Sequence, residues 1–323
     1  MFTCCGRKFY LREFQLTTNA SGLSSFLLEI GTEDIPARFV SIGMQKLKEN
    51  AEALFGENNI GFSSIKTFGT PRRIAVIADG MPQFQEDRRR EVFGPAKKIS
   101  FDESGKPTKA AVGFANSQGV SVESLVTKKK DKGEYIVAVI EEKGVHIAEL
   151  MPEISKKIIL SMHFPKAMRW GNGSMRFVRP IRWLLAILDK EIVNFEIEGI
   201  KSSNMTRGHR FLSPASFQIK EISSYIKLLA NNHVIIDMAE RERMISQKME
   251  KIAASVGGRP VRDEELLKTV ANLIEYPVPV LGSFSEGYLS LPKELLITVM
   301  KEHQKYFAIE IAEGGLTNHF VIT

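Results

Sequence analysis

Residues 163–188 read HFPKAMRWGNGSMRFVRPIRWLLAIL, and the organisation of the chain turns on this stretch. Its end, residues 184–188, is an apolar run with the length of a buried strand. Ahead of and beside that run stand five cations, Lys166, Arg169, Arg176, Arg179 and Arg182, with no acid among them. Phe164, Trp170, Phe177 and Trp183 are interleaved with the cations. Gly171 and Gly173 bend the middle, and Pro180 stiffens the approach to the strand. Cations without local counter-charge take acids from elsewhere in the fold or a polyanion from outside. Arginine suits phosphate because its planar fork binds two oxygens, and aromatic rings stack on unpaired bases. Trp170, beside the glycines, is the stacking candidate, whereas Trp183 leads into the strand and reads as core. Pairing of each arginine with a helix carboxylate is the competing reading.

Working outward, Asp189-Lys190 turns the chain back, and Val193, Phe195 and Ile197 alternate with Asn194, Glu196 and Glu198. That pattern predicts a half-buried antiparallel strand, hence a hairpin. Residues 202–220 are again free of acids and carry Thr206-Arg-Gly-His-Arg-Phe211. The hairpin would join the two basic segments into one patch containing Arg207 and Arg210. Upstream, residues 26–30 form a short apolar strand around Glu29. A turn follows, then Phe39, Val40, Gly43, Leu47, Ala51 and Leu54 recur at helical spacing. Glu33 and Asp34 precede that helix, where negative charge suits the macrodipole; contact with a ligand amine or a partner is the alternative. Phe68-Gly-Thr-Pro-Arg-Arg73 enters a strand at residues 74–78, giving a βαβ-like or ferredoxin-like opening. Arg72 and Arg73 sit at that entrance, either solvated or holding a phosphate.

Residues 83–109 read as a long exposed excursion, 110–118 as a short helix, 128–130 as a solvated lysine loop and 134–141 as a strand. Residues 147–162 have a helical stripe, and a boundary falls just before them. The expected division is 1–25, a leader; 26–145, an α+β domain with an exposed insertion; and 146–323, a second α+β domain. Asp237 and Asp263 read as helix N-caps, the former with Glu240 as a capping box. The last helix is expected over 292–307, with Leu295, Leu296, Val299, Met300, His303 and Phe307 on one face. That places His303 in the core and Lys301 and Lys305 on the opposite face. A strand starts at residue 319 and the chain stops within it, which reads as an incomplete domain. The fold class is α+β: mixed, mainly antiparallel sheets packed with helices, multi-domain.

The 323 residues carry a net charge of +6, which fits nucleic-acid binding without establishing it. No apolar run approaches the roughly 20 residues of a membrane helix. Cys4 and Cys5, the only cysteines, are adjacent and fit neither a disulfide framework nor a zinc site. Residues 1–25, basic and rich in Ser and Thr, fit an organellar targeting segment or an unstructured leader. No phosphate loop, dinucleotide fingerprint, H-E-x-x-H, C-x-x-C or G-x-S-x-G occurs. The reading assigns no catalytic residue and no metal ligand.

Seven segments, in order, carry a resemblance: residues 28–36 (LEIGTEDIP), 68–73 (FGTPRR), 110–115 (AAVGFA), 168–171 (MRWG), 179–183 (RPIRW), 206–211 (TRGHRF) and 303–307 (HQKYF). Together they resemble the beta subunit of the bacterial-type heterotetrameric glycyl-tRNA synthetase over residues 26–323. Asp34 stands where the family more often has Glu, and Gly69 where it often has Ala. The resemblance implies a non-catalytic subunit of an ATP-dependent glycine–tRNA ligase, with ATP and Mg at the alpha subunit and no cofactor in this chain. It implies two partners, tRNA(Gly) and the alpha subunit of an α2β2 heterotetramer. It implies a bacterial cytoplasmic location, or an organellar one if residues 1–25 are a targeting segment. The cations and ring expected at tRNA are Lys166, Arg169, Trp170, Arg176, Arg179, Arg182, Arg207, Arg210, Arg72, Arg73, Lys301 and Lys305. The alternatives are a structural scaffold, with tRNA bound by other domains, and an independent metabolic enzyme.

Overall fold

The computed structural model describes residues 22–102, 104–130 and 133–323. Cys4, Cys5 and the expected leader up to residue 21 lie outside them. The strand expected at residue 26 begins earlier: β1 is Leu23–Thr32, and its inner residues are buried on both faces. After it come α1 (Ala37–Glu57), β2 (Ser64–Thr70) and β3 (Arg73–Pro82).

The described residues form two compact units. One contains residues up to Leu54 together with Phe62–Met81 and Pro152–Thr323; the other contains Phe55–Gly61 and Pro82–Met151. In the smaller unit β4 (Arg88–Ala96), α2 (Lys97–Ser100), α3 (Lys109–Gln118), β5 (Val126–Lys130) and β6 (Gly133–Glu142) follow one another. Strands order as β4-β6-β5, all antiparallel. The expected loop excursion at 83–109 therefore contains the strand β4 and the short helix α2, and the lysine loop at 128–130 is an exposed strand. Both were obscured because β4 and β5 leave most of their described side chains in water, so neither shows an apolar alternation. Gly94 is obligatory here: a Cβ on it would meet the Phe114 ring of α3 at 2.6 Å.

α4 (Ile147–Leu160) begins in the smaller unit and passes into the larger one at Pro152, and the larger unit continues with β7 (Met168–Arg169), β8 (Arg176–Phe177) and β9 (Ile181–Leu188). Next come β10 (Glu191–Ile192), β11 (Glu196–Ile197), β12 (Ile200–Ser203), β13 (Met205–Arg207) and β14 (Ser216–Gln218). Among the described residues its main sheet has seven strands in the order β11-β12-β9-β1-β3-β2, with β10 also on β9. β1 pairs β9 antiparallel, Glu29 opposite Leu185 and Gly31 opposite Trp183, so the sheet spans the break expected at 145/146. The expected antiparallel hairpin is cut short: β10 pairs β9 for only two residues, and β12 lies parallel to β9, Ser202 opposite Leu184. Asp189, at φ 55°, makes the tight turn, while Glu198 and Gly199, at φ 50° and 79°, turn the chain a second time.

One face of this sheet packs Leu27, Phe68, Ile77, Leu185 and Ile187 against Ile222 and α5 (Tyr225–Asn231), through Tyr225 and Leu229. On α1, a Cβ on Gly43 would meet Ile74 Cδ1 at 2.3 Å; the hydrogen is what lets α1 lie close to β3.

Then follow α6 (Met238–Ser255), β15 (Arg259–Pro260), α7 (Glu264–Ala271), β16 (Val280–Ser283), α8 (Lys293–Thr298), β17 (Phe307–Glu310) and β18 (Leu316–Ile322). Asp237 caps α6 by accepting from Ala239 N–H, and Asp263 caps α7 by accepting from Leu266 N–H. Glu240 pairs with Arg243 rather than completing a capping box. A second core gathers Ile245, Met249, Leu266, Val270, Phe307, Ile309 and Val321. The last helix is shorter than expected. After α8 the chain makes a π-helical turn, Val299–Gln304, and Lys305 adopts φ 59°. The wider turn breaks the 100° periodicity, so His303, Leu295 and Val299 are exposed and His303 is not a core residue. The architecture is α+β, with mostly antiparallel sheets in more than one compact unit.

Candidate nucleic-acid interface

Beneath the basic stretch lies a buried polar network that fixes it. Trp183 on β9 stands over Gly31 of β1, where a Cβ would fall 1.9 Å from the indole. The indole Nε1 donates to Glu29 in the middle of β1. The Tyr225 hydroxyl and the Thr206 hydroxyl, the latter at 2.6 Å, donate to the same carboxylate. Arg73 enters from β3: its Nε donates to Glu275 at 3.1 Å, and Nη1 donates to Arg207 O at 2.7 Å and Thr206 Oγ1 at 3.0 Å. Its Nη1 also lies 3.7 Å from Glu29. Thr70 donates to Glu275 at 2.7 Å. Arg73 and Glu29 have no exposed surface, and Glu275 almost none. Burial alone would lower the Arg73 pKa, but Glu275 and Glu29 outweigh it and hold the pKa raised. Burial, with Glu29 beside it, pushes the Tyr225 hydroxyl well above its usual range, so it stays a donor. Arg241, also buried, spends its guanidinium on the carbonyls of Gly69, Ala271, Ile235 and Ile236, and burial lowers its pKa to about 10.

Arg73 is thus a structural cation, sealed from any RNA strand. Sequence reading missed Glu29, Glu275 and Tyr225 as its partners. The signal available was Glu29 itself, a carboxylate inside the apolar run of residues 26–30, which requires a buried donor.

A second cluster forms at the turn after β1. Glu33 forms an ion pair with Arg182 at 3.1 Å and accepts from Arg210 at 2.9 Å, and Asp34 accepts from Arg210 at 3.2 Å. Arg72 Nε stands 3.6 Å from Asp34. Burial first, then the neighbouring Arg210, lowers the Arg72 pKa. Glu33 and Asp34 therefore act as counter-charges to arginines, and α1 has no acid in its first turn. This cluster is what joins the two basic segments, in place of the expected hairpin. Arg207 lies over the Trp183 ring at 5.0 Å, with the Arg73 guanidinium at 5.3 Å from the same ring.

The remaining cations of the stretch are differently placed. β7 and β8 form a two-stranded ribbon with Arg169 opposite Arg176. Lys166 and Arg169 are exposed and have no acidic partner among the described residues. Arg176 is exposed and donates to Ala167 O at 3.1 Å; half-buried Arg179 donates to Asp34 O at 2.8 Å. Neither meets a carboxylate. Trp170 ends the first arm, half-buried, its Nε1 donating to Phe177 O at 3.0 Å. The loop between the arms is held by Glu198, which accepts from Met175 N at 2.8 Å and Ser174 N at 3.0 Å. Those donors, the Met175 N–H foremost, hold the Glu198 carboxyl below the usual range. Glu198 too escaped sequence reading, for it lies 23 residues from the loop it fastens.

Elsewhere, Lys301 reaches Asp263 at 2.8 Å and Glu265 at 3.4 Å, and Lys305 reaches Glu302 at 3.9 Å. Of the residues expected at RNA, those lacking a carboxylate partner among the described residues are thus Lys166, Arg169, Arg176, Arg179 and Arg207, with Trp170 among them. Arg72, Arg73, Arg182, Arg210, Lys301 and Lys305 already have one.

Residues 26–323 match the family model described as glycyl-tRNA synthetase beta subunit. The chain is 44% identical over 300 residues to the glycine–tRNA ligase beta subunit of Thermodesulfovibrio yellowstonii, covering 93% of this chain and 44% of that one. It is 45% identical over 296 residues to that of Halalkalibacterium halodurans, covering 92% and 42%, and 42% identical over 295 residues to that of Clostridioides difficile, covering 91% and 43%. The chain spans less than half the length of these curated relatives.

Proposed function

The chain belongs to the glycyl-tRNA synthetase beta subunit family, and on that premise we propose that it serves a glycine–tRNA ligase as a non-catalytic, RNA-holding part. Its RNA is tRNA(Gly), and its partner is an alpha subunit, in an α2β2 assembly in the cytoplasm, that carries ATP, Mg and the aminoacylation chemistry. What carries the reading is the ribbon of Lys166, Arg169, Arg176 and Arg179: four cations along one short stretch, none paired with a carboxylate, beside a half-buried tryptophan. Such a ribbon offers phosphate contacts and a stacking ring together, the combination single-stranded RNA needs.

The test is a contrast between an arginine without a carboxylate partner and one that has it. Arg176→Ala should weaken tRNA affinity, whereas Arg182→Ala, whose cation already meets Glu33, should change it much less. Equal effects, or none, would remove the assignment.

The Glu33–Asp34 cluster favours a second reading for its own arginines. They tie the turn after β1 to β9 and to the loop after β13, as a scaffold would. If the ribbon shares that role and meets acids of the alpha subunit, Arg176→Ala will weaken subunit assembly and leave the tRNA affinity of the assembled enzyme unchanged.

A further inference from the structure

Beside Trp170 opens a cavity of about 200 Å³, walled by Met175, Phe177, Pro180, Ile181, Ile197 and Ile200. We infer that this cavity is the seat of one unpaired nucleobase of an RNA strand, held against the Trp170 ring while the neighbouring cations hold its phosphates. The inference rests on the RNA-binding reading above and adds to it a site, a ligand class and an anchoring residue.

Size comes first. Pockets for drug-sized ligands run from about 300 to 1,000 Å³, so this one suits a single ring system. Its walls are aliphatic and aromatic, as a base's flat face requires. They are also fixed. The Trp170 indole is tied to Phe177 O at 3.0 Å, and the Phe177 ring meets Phe164 edge-on at 5.1 Å. The loop that closes one side is pinned by Glu198 through Met175 N and Ser174 N. A preformed slot of this kind loses little freedom on binding. Gly171, also in the lining, turns at φ 59° and has no atom within 4 Å of where a Cβ would be, which leaves open space at that side.

Charge then selects the occupant. Arg169 precedes Trp170, Arg176 precedes Phe177 and Arg179 precedes Pro180, so three of the lining residues have a cation as chain neighbour, within reach of the phosphates of a strand whose base is seated. Glu198 is the acid in the lining, and its oxygens are engaged by backbone N–H groups. An apolar slot whose lining residues have exposed or half-buried cations without carboxylate partners next to them in the chain matches an aromatic ring attached to a polyanion.

The experiment measures affinity of the full chain for two probes of equal length, a single-stranded oligoadenylate and the corresponding abasic ribose-phosphate oligomer. Stacking of one base predicts a preference of about 5- to 140-fold for the oligoadenylate. Trp170→Leu should remove that preference and leave binding of the abasic oligomer unchanged. Trp170→Phe, which keeps a ring and loses only the N–H tie to Phe177, should retain most of it. Equal binding of both probes by the unaltered chain overturns the base seat while leaving the phosphate ribbon standing. A loss with Trp170→Phe as large as with Trp170→Leu also overturns it, because the indole would then be only a strut. Failure to bind either probe defeats the RNA-binding reading and the seat together.

Discussion

Arg73→Met removes the cation at the centre of the buried network, and its cost follows from who is left behind. Glu29 keeps Trp183, Thr206 and Tyr225 as donors. Glu275 keeps only the Thr70 hydroxyl among the contacts described above, and it is buried. Arg207 O loses a donor as well. Breaking one side of a buried ion pair costs about 3–5 kcal/mol, because the survivor stays charged and dry. For a unit of this size each kcal/mol moves Tm by about 2–4 °C, giving a fall of about 6–20 °C. Urea and thermal unfolding followed by circular dichroism measure it. The double variant Arg73→Met/Glu275→Leu should recover most of the loss, since it deletes the orphaned carboxylate and fills the space. A fall below about 1 kcal/mol for the single variant, or no recovery in the double, would show that Arg73 and Glu275 are not the coupled pair that the geometry indicates.

Further outcomes follow from the same contacts. Gly31→Ala drives a Cβ into the Trp183 indole and should cost about 1–3 kcal/mol by overpacking, read as a lowered urea midpoint; a neutral substitution would mean that β9 and β1 are not this close. Asp263→Ala removes the α7 cap and the Lys301 partner and should cost about 0.5–2 kcal/mol, with Asp263→Asn costing less in the same unfolding assay. The Glu198 carboxyl titrates below its ordinary 4.5, so its hold on the loop is full above that pH and is lost as pH falls through the depressed value. Trp170 emission should therefore change on acidification in the unaltered chain and not in Glu198→Gln; identical acid transitions in both would exclude Glu198 as the fastener.

The sequence made the α+β class, the Asp237 and Asp263 caps, and the buried Trp183 legible, because each rests on local pattern or a single side chain's chemistry. What it concealed depends on long separations or on exposure. Glu33 meets Arg210 across 177 residues, and nothing in a basic segment announces an acid that far away, so half the expected RNA contacts proved to be paired. β12 runs parallel to β9 because two positive-φ residues, Glu198 and Gly199, turn the chain where alternation suggested a continuing strand. His303 was misplaced because a helical wheel assumes a uniform turn, and residues 299–304 form a wider one. Arg73 beside Arg72 looks like one exposed pair in sequence; Arg73 opens the buried strand β3, whereas Arg72 lies in the turn before it and stays nearer the surface.

The central claim is that Lys166, Arg169, Arg176 and Arg179 hold an RNA backbone, and the salt dependence of affinity for a single-stranded RNA tests it most directly. At about 0.7 per contact, four contacts predict log K falling with log salt at a slope near −2.8, and Arg176→Ala with Arg179→Ala should bring it near −1.4. A slope that the double substitution leaves unchanged would contradict the claim.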